Sequence, residues 1–96
     1  MKEIRQSEIY ERWFARLRDA QARALILARI RRLSLGNPGD TAPVGGGVSE
    51  LRIDSGPGYR VYFVEHGPAV VVLLAGRDKS SQRRDIERAI RLARGL

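Results

Sequence analysis

The sequence predicts an α+β domain in which helices pack on one face of a small antiparallel sheet. Three observations predict it. Apolar residues recur twice at helical spacing in the first third of the chain, three short alternating segments separated by turn residues follow, and the final stretch returns to a helical period. The order reads βαα, then βββ, then α, with residues 1–96 forming a single domain.

"KEIRQ", from Lys2, alternates as a short first strand, and Ser7 after it suits an N-cap. Ile9, Trp13, Phe14 and Leu17 then share one helical face, while Glu8, Glu11, Arg12, Arg16 and Arg18 turn away; this spacing assigns Trp13 and Phe14 to the core. Asp19 can cap a second helix with Ala22, Leu25, Ile26, Ile30 and Leu33 as its stripe, stopped by Gly36 and Pro38. Together they make a helical hairpin. "GDTAPVGGGV", Gly39 to Val48, is Gly/Pro-rich and reads as a mobile loop. The three strands follow as Val48–Asp54, Tyr59–Glu65 and Val70–Gly76, close enough to form an antiparallel meander. In the last segment Ile86, Ala89, Ile90 and Ala93 lie on one face and Arg84, Arg88 and Arg91 on another, a basic amphipathic helix.

Composition narrows the function classes. There is no cysteine, hence no disulfide framework or thiolate zinc site, and a lone His66 cannot hold a metal; neither metal nor cofactor is expected. The apolar run Ala69–Ala75 is too short to span a bilayer, and the N-terminus lacks the apolar region of a signal peptide, so a soluble cytoplasmic protein without membrane association is expected. Eighteen Lys+Arg against eleven Asp+Glu give a net charge of +7, and only Lys2 and Lys79 are lysines. Arginine's planar fork suits phosphate, so a nucleic acid or an acidic protein is the expected partner.

Alternation places Glu50, Arg52 and Asp54 on one face of their strand, and Arg60, Tyr62 and Val64 on the matching face of the next. Folding about the Gly-Pro-Gly turn pairs residues whose numbers sum to roughly 112, which sets Arg52 opposite Arg60 and Glu50 opposite Tyr62, on the face away from the helices. Like charges directly opposite cost up to about 1 kcal/mol. The meander also returns Arg77 and Lys79 beside them, with Asp78, Ser80 and Gln82 nearby, while His66 falls at the other end of the sheet. Two readings of this rim stand: a bound anion, or solvated pairs of Arg52 with Glu50 or Asp54 and of Arg77 with Asp78.

The blocks "GNPGD", "ELRI", "GPGYRVYF" and "DKSSQRRDIERA", in this order over nearly the whole chain, resemble the RelE/ParE toxin superfamily, in its phage Gp49-like, HigB-type addiction-module killer branch. The resemblance implies a RelE-like fold and a metal-independent, ribosome-dependent mRNA endonuclease that arrests translation. It implies three partners: the ribosome, mRNA and a helix-turn-helix antitoxin encoded nearby that forms a hetero-oligomer with the toxin. Arg52 takes the position of a basic residue at the scissile phosphate, and Arg60 that of the arginine opposing charge on phosphorus. Arg77 matches a further catalytic arginine of several relatives, although the branch commonly has "GGDKS" where this chain has "GRDKS", so the role falls to Arg77 or to Lys79. Glu50 is the candidate general base, with Asp40 second and an orienting salt bridge as the other role for Glu50. Tyr62 is the candidate base-stacking residue, while Tyr59 and Phe63 belong to the core. Gln82, Arg84 and Arg88 are candidate RNA contacts; the stripe they share with Arg91 equally suits an antitoxin or solvent. The competing functions are a ParE-like poison of DNA gyrase without nuclease activity, and an antitoxin-binding module that has lost toxicity.

Overall fold

A computed structural model describes residues 1–78 and 82–96, with the backbone alone at Gln82. The chain runs β1 (Glu3–Gln6), α1 (Glu8–Arg16), α2 (Ala20–Ser34), β2 (Thr41–Gly45), β3 (Val48–Ile53), β4 (Tyr59–His66), β5 (Val70–Asp78) and α3 (Gln82–Arg94). Both predicted caps form: Ser7 accepts from the Tyr10 N–H at 3.0 Å and Asp19 from the Ala22 N–H at 3.1 Å. Ser7 Oγ also donates to the Leu74 carbonyl at 2.6 Å, tying the start of α1 to β5.

The sheet order is β1-β5-β4-β3-β2. Four strands are antiparallel neighbours and β1 joins the β5 edge in parallel. This α+β architecture, a helical hairpin on the sheet with a C-terminal helix, is compatible with a RelE-like fold. Among the described residues no helix is long and apolar enough to cross a membrane.

Two expectations are corrected. The segment Gly39–Val48 is not all loop: Thr41–Gly45 is the edge strand β2, paired with β3. Pro43 is tolerated because an edge strand leaves N–H groups unpaired, and Gly46 and Gly47, at φ 61° and 79°, close the turn. A Cβ on Gly46 would stand 2.8 Å from Ile90 Cγ2, so the turn lies tight against α3. The second correction concerns the layers. The helices do not share one face of the sheet: α1 and α2 cover one face, and α3 covers the other. The first core joins Tyr10, Ile26 and Leu33 to Leu51, Val61 and Leu73. The second joins Ala89, with Ile86 and Ile90, to Val48, Tyr62, Val72 and Leu74. Alternate residues of β3 to β5 are therefore apolar on both sides over much of their length, and α3's apolar stripe is what covers the second side.

One irregularity places the site. Tyr62 pairs with Ala75 and Phe63 with Leu73, so Leu74 is the extra residue of a bulge in β5. Side chains alternate with period two, and one inserted residue therefore turns everything beyond it to the opposite face. Beyond the bulge, Arg77 comes onto the α3 side of the sheet, opposite Arg60.

Candidate functional site

Arg52 pairs with Arg60 across β3 and β4, and Arg60 pairs with Arg77 across β4 and β5. Three guanidinium groups thus stand abreast on adjacent strands, where neutral side chains would cost nothing electrostatically. Each of them is engaged by a carboxylate. Glu50 lies two residues before Arg52 on the same face, is 1% exposed, and accepts from both: Oε2 from Arg52 Nε at 2.9 Å and Oε1 from Arg60 Nε at 3.0 Å. Arg77 is held by α3, with its Nε 3.3 Å from Asp85 Oδ2. Asp40, from the segment before β2, brings Oδ1 to 3.8 Å from Arg52 Nη1. These pairs engage Nε on all three arginines, and the planar fork each arginine carries suits a phosphate.

The electrostatics follow from this packing. The Glu50 hydrogen bond and charge hold the Arg52 guanidinium more firmly protonated than usual. Burial pushes the Asp85 carboxyl up, opposed by the charges of Arg77 and Arg88. Burial, reinforced by Glu50 and Asp85, raises the Tyr62 phenol to about 12. Its hydroxyl has no hydrogen-bond partner among the described residues, and it is a neutral group set among two carboxylates and two arginines.

Of the residues singled out from sequence, Glu50, Arg52, Arg60 and Arg77 come together at this end of the sheet. Tyr62 is corrected: it is 0% exposed, its ring buried in the core shared with α3, because the face expected to be open is roofed by that helix. Such a ring offers no surface for stacking. Arg84, Arg88 and Arg91 lie on the exposed side of α3 and border a groove with Arg77 and Glu87. Lys79 and Ser80, and the side chain of Gln82, lie outside the described residues. His66 ends β4, opposite Val70, away from the arginines. Among the described residues no three His, Cys, Asp or Glu side chains gather as a metal ion would need.

Three contributions were not anticipated. Asp85 is the partner of Arg77; its position in the first turn of α3, just after an arginine-bearing strand, was the available signal. Arg29 of α2 donates to the carbonyls of Pro38 and Asp40 at 3.0 and 3.1 Å and also to that of Arg52, clamping the approach to β2 against β3. No pattern marks it. Trp13 packs on the core as expected, yet its indole also lines a cavity beside Arg77.

The model for the family described as "Phage derived protein Gp49-like" matches residues 12–95, and the chain belongs to that family. A Haemophilus influenzae protein described only as uncharacterized is 45% identical over 94 residues, covering 98% of this chain and 95% of that protein.

Proposed function

We propose that this Gp49-like protein is the toxin of a toxin-antitoxin pair and cleaves mRNA on the ribosome. The observation that carries this reading is the row Arg52, Arg60 and Arg77, in register on three strands and tied by Nε to Glu50 and Asp85. Natural sheets avoid such a row, and a polyanion relieves it. RNA supplies its own nucleophile. The 2′-oxygen attacks phosphorus, the bond to the 5′-oxygen breaks, and the proton leaving the 2′-hydroxyl is matched by one reaching the 5′-oxygen, giving a 2′,3′-cyclic phosphate and a 5′-hydroxyl. Arginines fixed before the reaction stabilise the charge gathering on the non-bridging oxygens, and each such donor is worth about 3 to 4 kcal/mol.

In this reading Arg60, central and 19% exposed, bears on the phosphorus, with Arg52 and Arg77 flanking it. Glu50 has both oxygens engaged by guanidinium groups and acts by orienting them. Asp40, 62% exposed beside Arg52, is the carboxylate left for proton transfer, together with groups of the ribosome. A helix-turn-helix antitoxin is the proposed partner in a hetero-oligomer, and the cytoplasm the proposed compartment.

The test is induction of the chain alone in a bacterial host with 5′-end mapping of a reporter message, beside Arg60→Ala. In-frame cuts that vanish in the variant support the nuclease. Growth arrest with DNA damage and intact message would replace it with a gyrase poison, and no arrest would leave an antitoxin-binding module.

A further inference from the structure

A cavity of about 220 Å³ lies just past the end of the arginine row. It opens where β5 loses its neighbour: β1 pairs only as far as Gln6 with Leu73, so the stretch Ala75 to Arg77 has a free edge between α1 and α3. Four arginines line it, Arg12 and Arg16 from α1, Arg77 from β5 and Arg88 from α3, with Asp85 and Trp13 as the other notable walls. Arg12 is engaged by Glu8 at 2.6 Å and Arg77 by Asp85, whereas Arg16 and Arg88 form no ion pair among the described residues. The Asp85 oxygen facing Arg77 is within ion-pair distance of it but accepts no hydrogen bond among the described residues, which leaves the wall with acceptor capacity of its own.

Trp13 is fixed, not loosely exposed. Its six-membered ring lies over Gly76, where a Cβ would stand 2.1 to 2.4 Å from the ring carbons, and the rings of Tyr10 and Tyr59 hold it at centroid distances of 5.8 and 6.5 Å. A clamped aromatic ring beside Arg16 and Arg88, which form no ion pair among the described residues, matches the two parts of a nucleotide, a planar base and a phosphate. Continuity favours a strand over an acidic peptide. Arg77 belongs both to the row and to the cavity, so a chain of phosphates lying along Arg52, Arg60 and Arg77 runs on toward Arg88 and Arg16.

We propose that this cavity is a nucleotide subsite: it takes the nucleotide adjoining the segment bound on the arginine row, with the base against Trp13 and the phosphate on Arg16 and Arg88. The site stands on its own residues; that the strand is message rests on the nuclease reading above.

Trp13 is the only tryptophan in the chain, so its fluorescence reports this cavity without a label. The purified protein is titrated with a 2′-O-methyl oligoadenylate, which carries no nucleophilic 2′-hydroxyl. The expected result is saturable quenching, weakened about tenfold or more in Arg16→Ala/Arg88→Ala, and unchanged in Arg31→Ala/Arg32→Ala, whose residues are exposed at the far end of α2. A ribose-phosphate oligomer without bases and a glutamate-rich peptide of equal charge should leave the fluorescence nearly unchanged. Adenosine monophosphate should bind more weakly than the oligomer. The proposal is overturned by absent quenching, by equal quenching from the base-free oligomer or the peptide, by a monophosphate that binds as tightly as the strand, or by an equal loss in the α2 control. Quenching without message cleavage in cells would keep the subsite and remove the nuclease; cleavage without quenching would do the reverse.

Discussion

The two faces of the sheet are built from the same strands and obey different rules. On the α1/α2 side, Leu51, Ile53, Tyr59, Val61 and Phe63 are buried and pack with the apolar residues of α1 and α2. On the α3 side the strands begin alike, with Val48 opposite Val64, and then change character to Glu50 beside Tyr62 and finally to Arg52, Arg60 and Arg77. Burying a carboxylate and stacking three cations gives less stability than extending the valine layer would. The difference teaches where this protein departs from optimal packing: one face maintains the fold, and half of the other holds charge in a fixed arrangement.

Substitutions that respect or violate this division separate the two roles. The largest loss of stability is expected on the apolar face. Leu51→Ala, at a fully buried position, should lower unfolding free energy by about 3 kcal/mol in urea titrations, within the range for buried leucines. Cleavage per folded molecule should stay unchanged. Glu50→Ala on the other face should lose about 2 kcal/mol, less than for a fully buried pair because Arg52 is 45% exposed. Here cleavage should fall as well, since Arg52 and Arg60 lose their shared anchor; a variant with wild-type cleavage would remove the orienting role from Glu50.

Smaller effects sharpen the boundary between the faces. Gly76→Ala must displace the indole of Trp13 and should cost about 1 to 2 kcal/mol, with a shift in tryptophan emission as the direct readout. Tyr62→Phe removes a buried hydroxyl that has no hydrogen-bond partner among the described residues and should change stability by less than about 1 kcal/mol, in either direction. It also bears on alkaline unfolding. With the folded phenol raised from 10.0 to about 12, the unfolded chain ionises first; Tyr62's contribution is therefore complete below pH 10.0 and is lost as pH rises toward 12. Thermal melts across that interval should fall less steeply in Tyr62→Phe than in the wild type.

Much of this was legible in the sequence, for local reasons. Ser7 and Asp19 cap helices through side chains that contact residues three positions away, and the Arg52–Arg60 pair follows from counting about one turn. What escaped depends on distant parts of the chain. The side of the sheet taken by α3 cannot be read from a stripe that any apolar face would satisfy, and with it went the burial of Tyr62. The bulge at Leu74 has no composition signal in "VVVLLAG", yet it brings Arg77 into line with Arg60. Asp85 reaches Arg77 only because α3 folds over β5. The cations of the site were visible as residues; the carboxylates and the helix that arrange them needed the fold.

The central claim is that the arginine row acts on phosphorus, and single-turnover cleavage of ribosome-bound message by wild type and Arg60→Ala tests it most directly. Loss of one preorganised donor predicts a rate about 10² to 10³ lower with the protein still folded. Equal rates would contradict the account.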